Sequence, residues 1–179
     1  MAMIPLKEKY KQIVPVISEK LGKKNPLALP RLVKVMVSSG TGKAKDKKRN
    51  DLVEGRLTKI TGQKVSPRGA KQSIASFKLR EGEIIGFVVT IRGQRMYAFL
   101  DKLFNVAIPR TRDFRGIDPK AIDDMGNLTI GIKEHTVFPE TSDEEIKDVF
   151  GLAVTLVTTA KNKKEAYVLF EALGVPFKK

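Results

Sequence analysis

Residues 84–91, Ile-Ile-Gly-Phe-Val-Val-Thr-Ile, put Ile85, Phe87, Val89 and Ile91 on one side of an extended chain. A helical repeat follows almost at once: Met96, Phe99, Leu100, Leu103, Phe104 and Ala107 recur at three- and four-residue spacing until Pro109 stops them. A strand with one apolar face needs a covering layer, and a helix with one apolar stripe can supply it. The two periods return elsewhere. Residues 5–21 carry Leu6, Tyr10, Ile13, Val14, Ile17 and Leu21 at helical spacing, with Pro15 inside predicting a kink or break. Residues 31–37 alternate Leu32, Lys34 and Met36 with Val33, Val35 and Val37, a strand. Residues 46–62 read as a helix, with Leu52, Val53, Leu57 and Ile60 inward and Lys47, Lys48, Arg49, Arg56 and Lys59 mainly outward. Gln63-Lys64-Val65 starts a short strand, and 66–82 reads as a long basic loop. Strands follow at 128–133 and 152–159. A last helix is capped by Asn162, carries Glu165 three residues on, and ends at Gly174 and Pro176. The gaps give no βαβ period, and one strand pair is joined by a loop alone. The expectation is α+β: a single domain over 1–179, a largely antiparallel sheet with helices packed on one face, and long basic loops.

Charge narrows the function. Lys plus Arg number 34 against 20 acids, a formal +14. Residues 1–80 hold 20 of the cations and 5 of the acids, residues 81–179 the other 14 and 15. Solubility alone asks for a net charge of roughly 2–8 in a small domain. The clustering points to a polyanionic partner, because counterion release rewards grouped cations. Cysteine is absent and His135 is the single histidine, which excludes disulfide frameworks, thiolate or multi-histidine metal sites and cysteine nucleophiles. No metal or other cofactor is expected. The run Ile13–Ile17 is too short, and too polar in its flanks, for a signal peptide or membrane span.

Val37-Ser-Ser-Gly40-Thr-Gly42-Lys43-Ala44 invites a phosphate-loop interpretation and fails it. Val37 stands where the first glycine belongs, and Ala44 where a hydroxyl must hold magnesium. What survives is either an ordinary glycine-rich turn or one whose N–H groups approach a polyanion. Asp123-Asp124 and Glu144-Glu145 are neighbouring surface acids rather than a carboxylate pair facing one cleft. His135 has no catalytic companion and is expected to be structural or exposed. Two basic clusters each contain an aromatic: Arg68, Lys71, Lys78 and Arg80 with Phe77, and Arg110, Arg112 and Arg115 with Phe114. Arg forks grip phosphates while rings stack on unpaired bases, or the two rings anchor their loops in the core. Residues 134–150 are acidic, with Glu134, Glu140, Asp143, Glu144, Glu145 and Asp148 against Lys147 alone. They form either a solvated loop with an acidic first helical turn or a contact surface for a basic protein. Two rival functions, a free RNA-binding regulator and a phosphate-handling enzyme on Gly40–Lys43, use the same residues.

The order of motifs carries a resemblance. It runs through Pro30-Arg31, Gly40-x-Gly42, Ile60-x-Gly62-Gln63-Lys64, Ala70-Lys71-x-Ser73-Ile74-Ala75-x-Phe77-Lys78-x-Arg80-x-Gly82, Gly86-x-x-Val89-Thr90-x-Arg92-Gly93, Pro109-Arg110-x-Arg112-Asp113-Phe114-Arg115-Gly116, Phe138-Pro139-Glu140, Thr158-Thr159-Ala160-Lys161 and Pro176-Phe177-x-Lys179. In these the chain resembles bacterial large-subunit ribosomal protein five, the family that binds 5S ribosomal RNA. The resemblance implies a non-enzymatic, cytoplasmic protein of the ribosome's central protuberance. Its partners would be 5S rRNA, large-subunit rRNA, peptidyl-site tRNA, other 5S-binding proteins and a basic small-subunit protein at an intersubunit bridge. It places 5S contacts at Ser38, Gly40, Gly42, Lys43, Gln63, Phe77, Thr90 and Arg92, where Ser38 replaces the family's usual asparagine. Lys71, Ser73, Lys78 and Arg80 would reach toward tRNA, and Arg110, Arg112 and Arg115 form a further basic loop for RNA. Glu134, Glu140, Glu144, Glu145 and Asp148 would meet the bridge protein. The basic RNA-binding part then spans about 1–92 and the acidic segment about 134–150.

Overall fold

The strands expected from alternation around 31–37, 84–91, 128–133 and 152–159 are present in the computed structural model, which describes residues 5–42, 47–112, 114–141 and 149–178. The elements are α1 (Leu6–Leu21), β1 (Leu32–Gly40), α2 (Lys47–Thr61), β2 (Ser66–Gly69), β3 (Ile84–Ile91), α3 (Gly93–Lys102), β4 (Leu128–Ile132), β5 (Leu152–Thr158) and α4 (Lys163–Leu173). The five strands form one sheet in the order β2-β3-β1-β5-β4. It is antiparallel throughout. β2 pairs with β3 in that sense, Thr41 N–H bonds Ile85 O beyond the end of β1, Ser39 meets Gly151 where Arg31 meets Thr159, and Thr129 meets Thr155. One face is buried through Val35, Val37, Phe87, Val89, Ile130 and Val154, while Lys34, Met36, Ser38, Thr90 and Thr129 on the other keep more exposure. This is the expected α+β arrangement.

The chain divides into two compact units, Met1–Val35 with Ile91–Ile130 and Thr155–Lys179, and Met36–Thr90 with Gly131–Val154. In the first, α1 is fastened at both ends. Both carboxylate oxygens of Asp101 accept the Leu6 N–H, at 3.0 and 3.1 Å, meeting an orphan donor of the first helical turn. Lys9 donates to Leu173 O at 2.9 Å, and Lys20 and Lys23 pair with Glu171 and Glu165 of α4. α1 runs unbroken through Pro15, so of the expected kink or break the break is absent. Pro15 is exposed, so the carbonyl its ring frees faces water while Ile13 and Ile17 stay buried. α3 continues through a wider turn at Leu103–Ala107. The Asn162 side chain accepts from Glu165 N and Gly174 closes α4 in the left-handed region, as the sequence predicts.

In the second unit α2 buries Val53, Leu57 and Ile60, with Leu52 half-buried. Arg56, expected outward, is only 8% exposed, and its Nη1 lies 3.1 Å from His135 Nε2. His135 is fully buried, stacks on Phe150 at 4.2 Å, and takes the Phe150 N–H on Nδ1. Its role is structural. β2 also departs from expectation: the strand is Ser66–Gly69, inside the presumed loop, and Gln63–Val65 precede it. With no apolar alternation, Ser-Pro-Arg-Gly becomes a strand by pairing along the edge of β3.

Candidate nucleic-acid interface

β1 runs three residues further than its alternation predicts, so Ser38 and Gly40 lie on a strand and the turn begins at Thr41. Two contacts hold that strand end. Ser39 Oγ donates to Gly151 O at 2.8 Å, and Thr41 N–H to Ile85 O at 2.8 Å. Gly86 makes the second approach possible, because a Cβ there would stand 2.8 Å from Ser39 O. Ser38, Gly40, Gly131, Lys133, Gly151 and Ala153 border an open depression of about 500 Å3 at this end of the sheet. Gly42 is exposed. Lys43 lies outside the described residues.

Two other predicted contacts meet. Gln63, after α2, donates its Nε2–H to Thr90 O on β3 at 3.3 Å. Both remain half-buried, and this bond uses the Gln63 amide N–H and the Thr90 carbonyl rather than the amide oxygen or the threonine hydroxyl. Arg92 is exposed two residues on.

The basic segment after β2 is a built hairpin. Ala70 and Glu83 close its base by Ala70 N–H to Glu83 O, with Gly82 N–H to Ala70 O beside it. Ile74 and Leu79 form an antiparallel bridge around the turn Ala75–Phe77. Ser73 Oγ accepts the Glu81 N–H at 2.9 Å and the Glu83 carboxylate accepts the Arg80 N–H at 3.1 Å. Ser73 thus braces the loop. Lys71, Lys78 and Arg80 are exposed, Lys78 sits at φ 51, and Phe77 is 72% exposed at the tip. The ring does not anchor the loop.

Arg110, Arg112 and Arg115 are exposed in the first unit, beside a backbone that is tied down. Ile117 N–H donates to Pro176 O and Lys178 N–H to Ile117 O. Phe177 of this closing stretch stacks on Tyr167 at 4.9 Å. Phe114 is 36% exposed. In the acidic segment Glu134, just before the short turn His135–Val137, and Glu140, on the turn Pro139–Thr141, are exposed, and Thr141 Oγ1 donates to His135 O. Glu144, Glu145, Asp148 and the expected helical turn from Asp143 lie outside the described residues. Sequence reasoning passed over the partners Arg56 and His135, and over Tyr10, Arg31 and Tyr97, which come together from three elements. No local pattern could have joined them.

Such a chain is a basic α+β protein with cations on exposed loops; among the described residues no cluster of acids and histidine is placed to hold a metal. Comparison with known proteins then gives the family. The model described as Ribosomal protein L5 matches residues 25–80, and that of the ribosomal L5P family C-terminus matches residues 84–177. The chain is 47% identical to large ribosomal subunit protein uL5 of Thermoanaerobacter sp. (strain X514), over 99% of this chain and 100% of the relative. It is 49% identical to that of Halothermothrix orenii over 98% and 99%, and 44% identical to that of Rubrobacter xylanophilus over 98% and 99%. The chain belongs to the ribosomal protein L5 family. As a member it is a structural component of the large ribosomal subunit rather than an enzyme, and cytoplasmic as part of that particle.

Proposed function

We propose that the chain attaches 5S rRNA within the large subunit through Ser38, Gly40, Gly42, Lys43, Gln63, Phe77, Thr90 and Arg92. The hairpin cations Lys71, Lys78 and Arg80, with Ser73 as brace, serve peptidyl-site tRNA. Arg110, Arg112 and Arg115 supply further phosphate contacts to large-subunit rRNA, beside other 5S-binding proteins. The acidic segment about 134–150 meets a basic small-subunit protein across an intersubunit bridge. One observation carries this reading: a phenylalanine 72% exposed at the tip of a hydrogen-bonded, cationic hairpin. An aromatic ring held in water gains nothing from folding, whereas an unpaired base stacked on it excludes that water. The Gln63–Thr90 pair supports it, leaving an amide oxygen and a hydroxyl for a folded RNA loop.

The test uses two variants of the full chain. Phe77→Ala should weaken 5S rRNA binding about tenfold, in line with the ~1–3 kcal/mol that base stacking contributes, without lowering thermal stability. Lys71→Ala/Lys78→Ala/Arg80→Ala should reduce tRNA occupancy in reconstituted ribosomes more than it reduces 5S binding. Equal losses for both RNAs would refute the division of labour. Equal affinity of the unaltered protein for 5S rRNA and unrelated transcripts near cellular salt would remove the 5S reading itself.

A further inference from the structure

The first unit holds a cleft whose residues are not among the proposed contacts. Tyr10 of α1, Tyr97 of α3, and Arg31, Leu32 and Val33 at the start of β1 line about 410 Å3, within the ~300–1,000 Å3 usual for small-ligand sites. The tyrosine ring centroids lie 6.3 Å apart with planes at 50°, too tilted to sandwich a third ring, and both residues line the cleft. Both phenols lie within reach of the Arg31 charge. Burial, the larger influence, raises their pKa values, and the Tyr10 hydroxyl donates to Pro30 O at 3.5 Å.

The site is preorganised. α1 is held by the Asp101 contact with Leu6 N–H, which also occupies the carboxylate nearest in sequence to Tyr97. The Arg31 backbone is fixed on both sides, its N–H to Thr159 Oγ1 at 3.0 Å and its carbonyl accepting from Thr159 N–H at 2.9 Å. Its guanidinium is exposed, and among the described residues no carboxylate pairs with it. Val33 adds an apolar wall that is 41% exposed. A forked cation, two aromatic faces and an apolar floor match an unpaired nucleotide, whose phosphate, flat base and polar edge need those three surfaces.

We propose that this cleft is a second RNA site, which takes one unpaired nucleotide with its base against a tyrosine face and its phosphate on Arg31. RNA is favoured over a protein side chain because a carboxylate would use the guanidinium and leave both rings idle. The proposal is independent of the 5S contacts, which lie on other residues.

The test is nuclear magnetic resonance of the full chain with labelled tyrosine rings, titrated with single-stranded hexauridylate, hexa-adenylate and inorganic phosphate. The Tyr10 and Tyr97 signals should move saturably with either hexanucleotide and much less with phosphate. Arg31→Ala should weaken that binding about tenfold with the melting temperature unchanged, since the guanidinium is exposed. Tyr97→Leu should abolish the Tyr10 shift while Tyr97→Phe retains it. Rings unmoved by both hexanucleotides overturn the proposal. Rings unmoved by RNA yet protected from nitration in intact large subunits also overturn it, in favour of a protein occupant. Unchanged 5S affinity in Arg31→Ala is the expected control, and a parallel loss would merge this cleft with the 5S surface and defeat its separateness.

Discussion

The hairpin after β2 and the segment after α3 look alike as sequence: each sets Arg or Lys around a single phenylalanine. The structure treats them oppositely. The hairpin is fastened to itself, through Ala70 with Glu83, Ile74 with Leu79, and Ser73 with Glu81, and holds Phe77 out at the tip. The segment at 114–118 is stitched to the chain's last described residues, where Gly116 at φ +99 passes against Lys178. Cationic composition reveals that a loop can attract phosphate. Which neighbours hold its backbone decides whether the loop is a reaching arm or part of the framework.

The largest test of that contrast is Gly116→Ala. The added Cβ would stand 2.6 Å from Lys178 N in a backbone conformation that L side chains rarely adopt. Strain and overpacking together should cost about 2–4 kcal/mol, seen in thermal denaturation and as faster amide exchange at 114–118 and 175–178. An unchanged melting temperature would break the comparison. Ser73→Ala should cost about 1 kcal/mol and act locally, with amide exchange rising severalfold within 70–83 and global stability unaltered. A global loss would make the hairpin framework as well.

The smallest effect concerns α4, which leads into the stitched stretch. The hydrogen bond from Lys23 is the main influence holding the Glu165 carboxyl below its ordinary value of 4.5, against the opposing pull of burial. A depressed folded value means the stabilisation is complete above that ordinary pKa and lost as pH falls through the lower folded one. Lys23→Ala should therefore lower stability at pH 7 by about 0.5–1 kcal/mol, and the difference should vanish in acid. Exchange at 175–178 should follow it, while exchange in the hairpin should not respond.

What could be read in the sequence was whatever a local period or a cap encodes. Ile85, Phe87, Val89 and Ile91 alternate because one face of β3 is buried, and Asn162, Glu165 and Gly174 mark α4 by satisfying orphan backbone groups. β2 escaped because edge pairing, not side-chain pattern, makes Ser66–Gly69 a strand. Arg56 escaped because its partner lies 79 residues away and burial overrides its charge. Pro15 did not end α1 because the buried packing of Ile13 and Ile17 holds the helix together across the backbone hydrogen bond that the proline removes. At the interface, Gln63 and Thr90 were named through resemblance, and only the fold shows them bonded. The exposure of Phe77 could not be decided until its loop had a shape.

The sheet's outer border at β2 has a consequence for the protein's life before assembly. That strand is four residues long, contains Pro67, which has no N–H, and slips register between Arg68 and Gly69. At this border a newly made copy therefore presents no long, regular ladder for another copy to extend, which disfavours edge-to-edge growth from this side of the sheet.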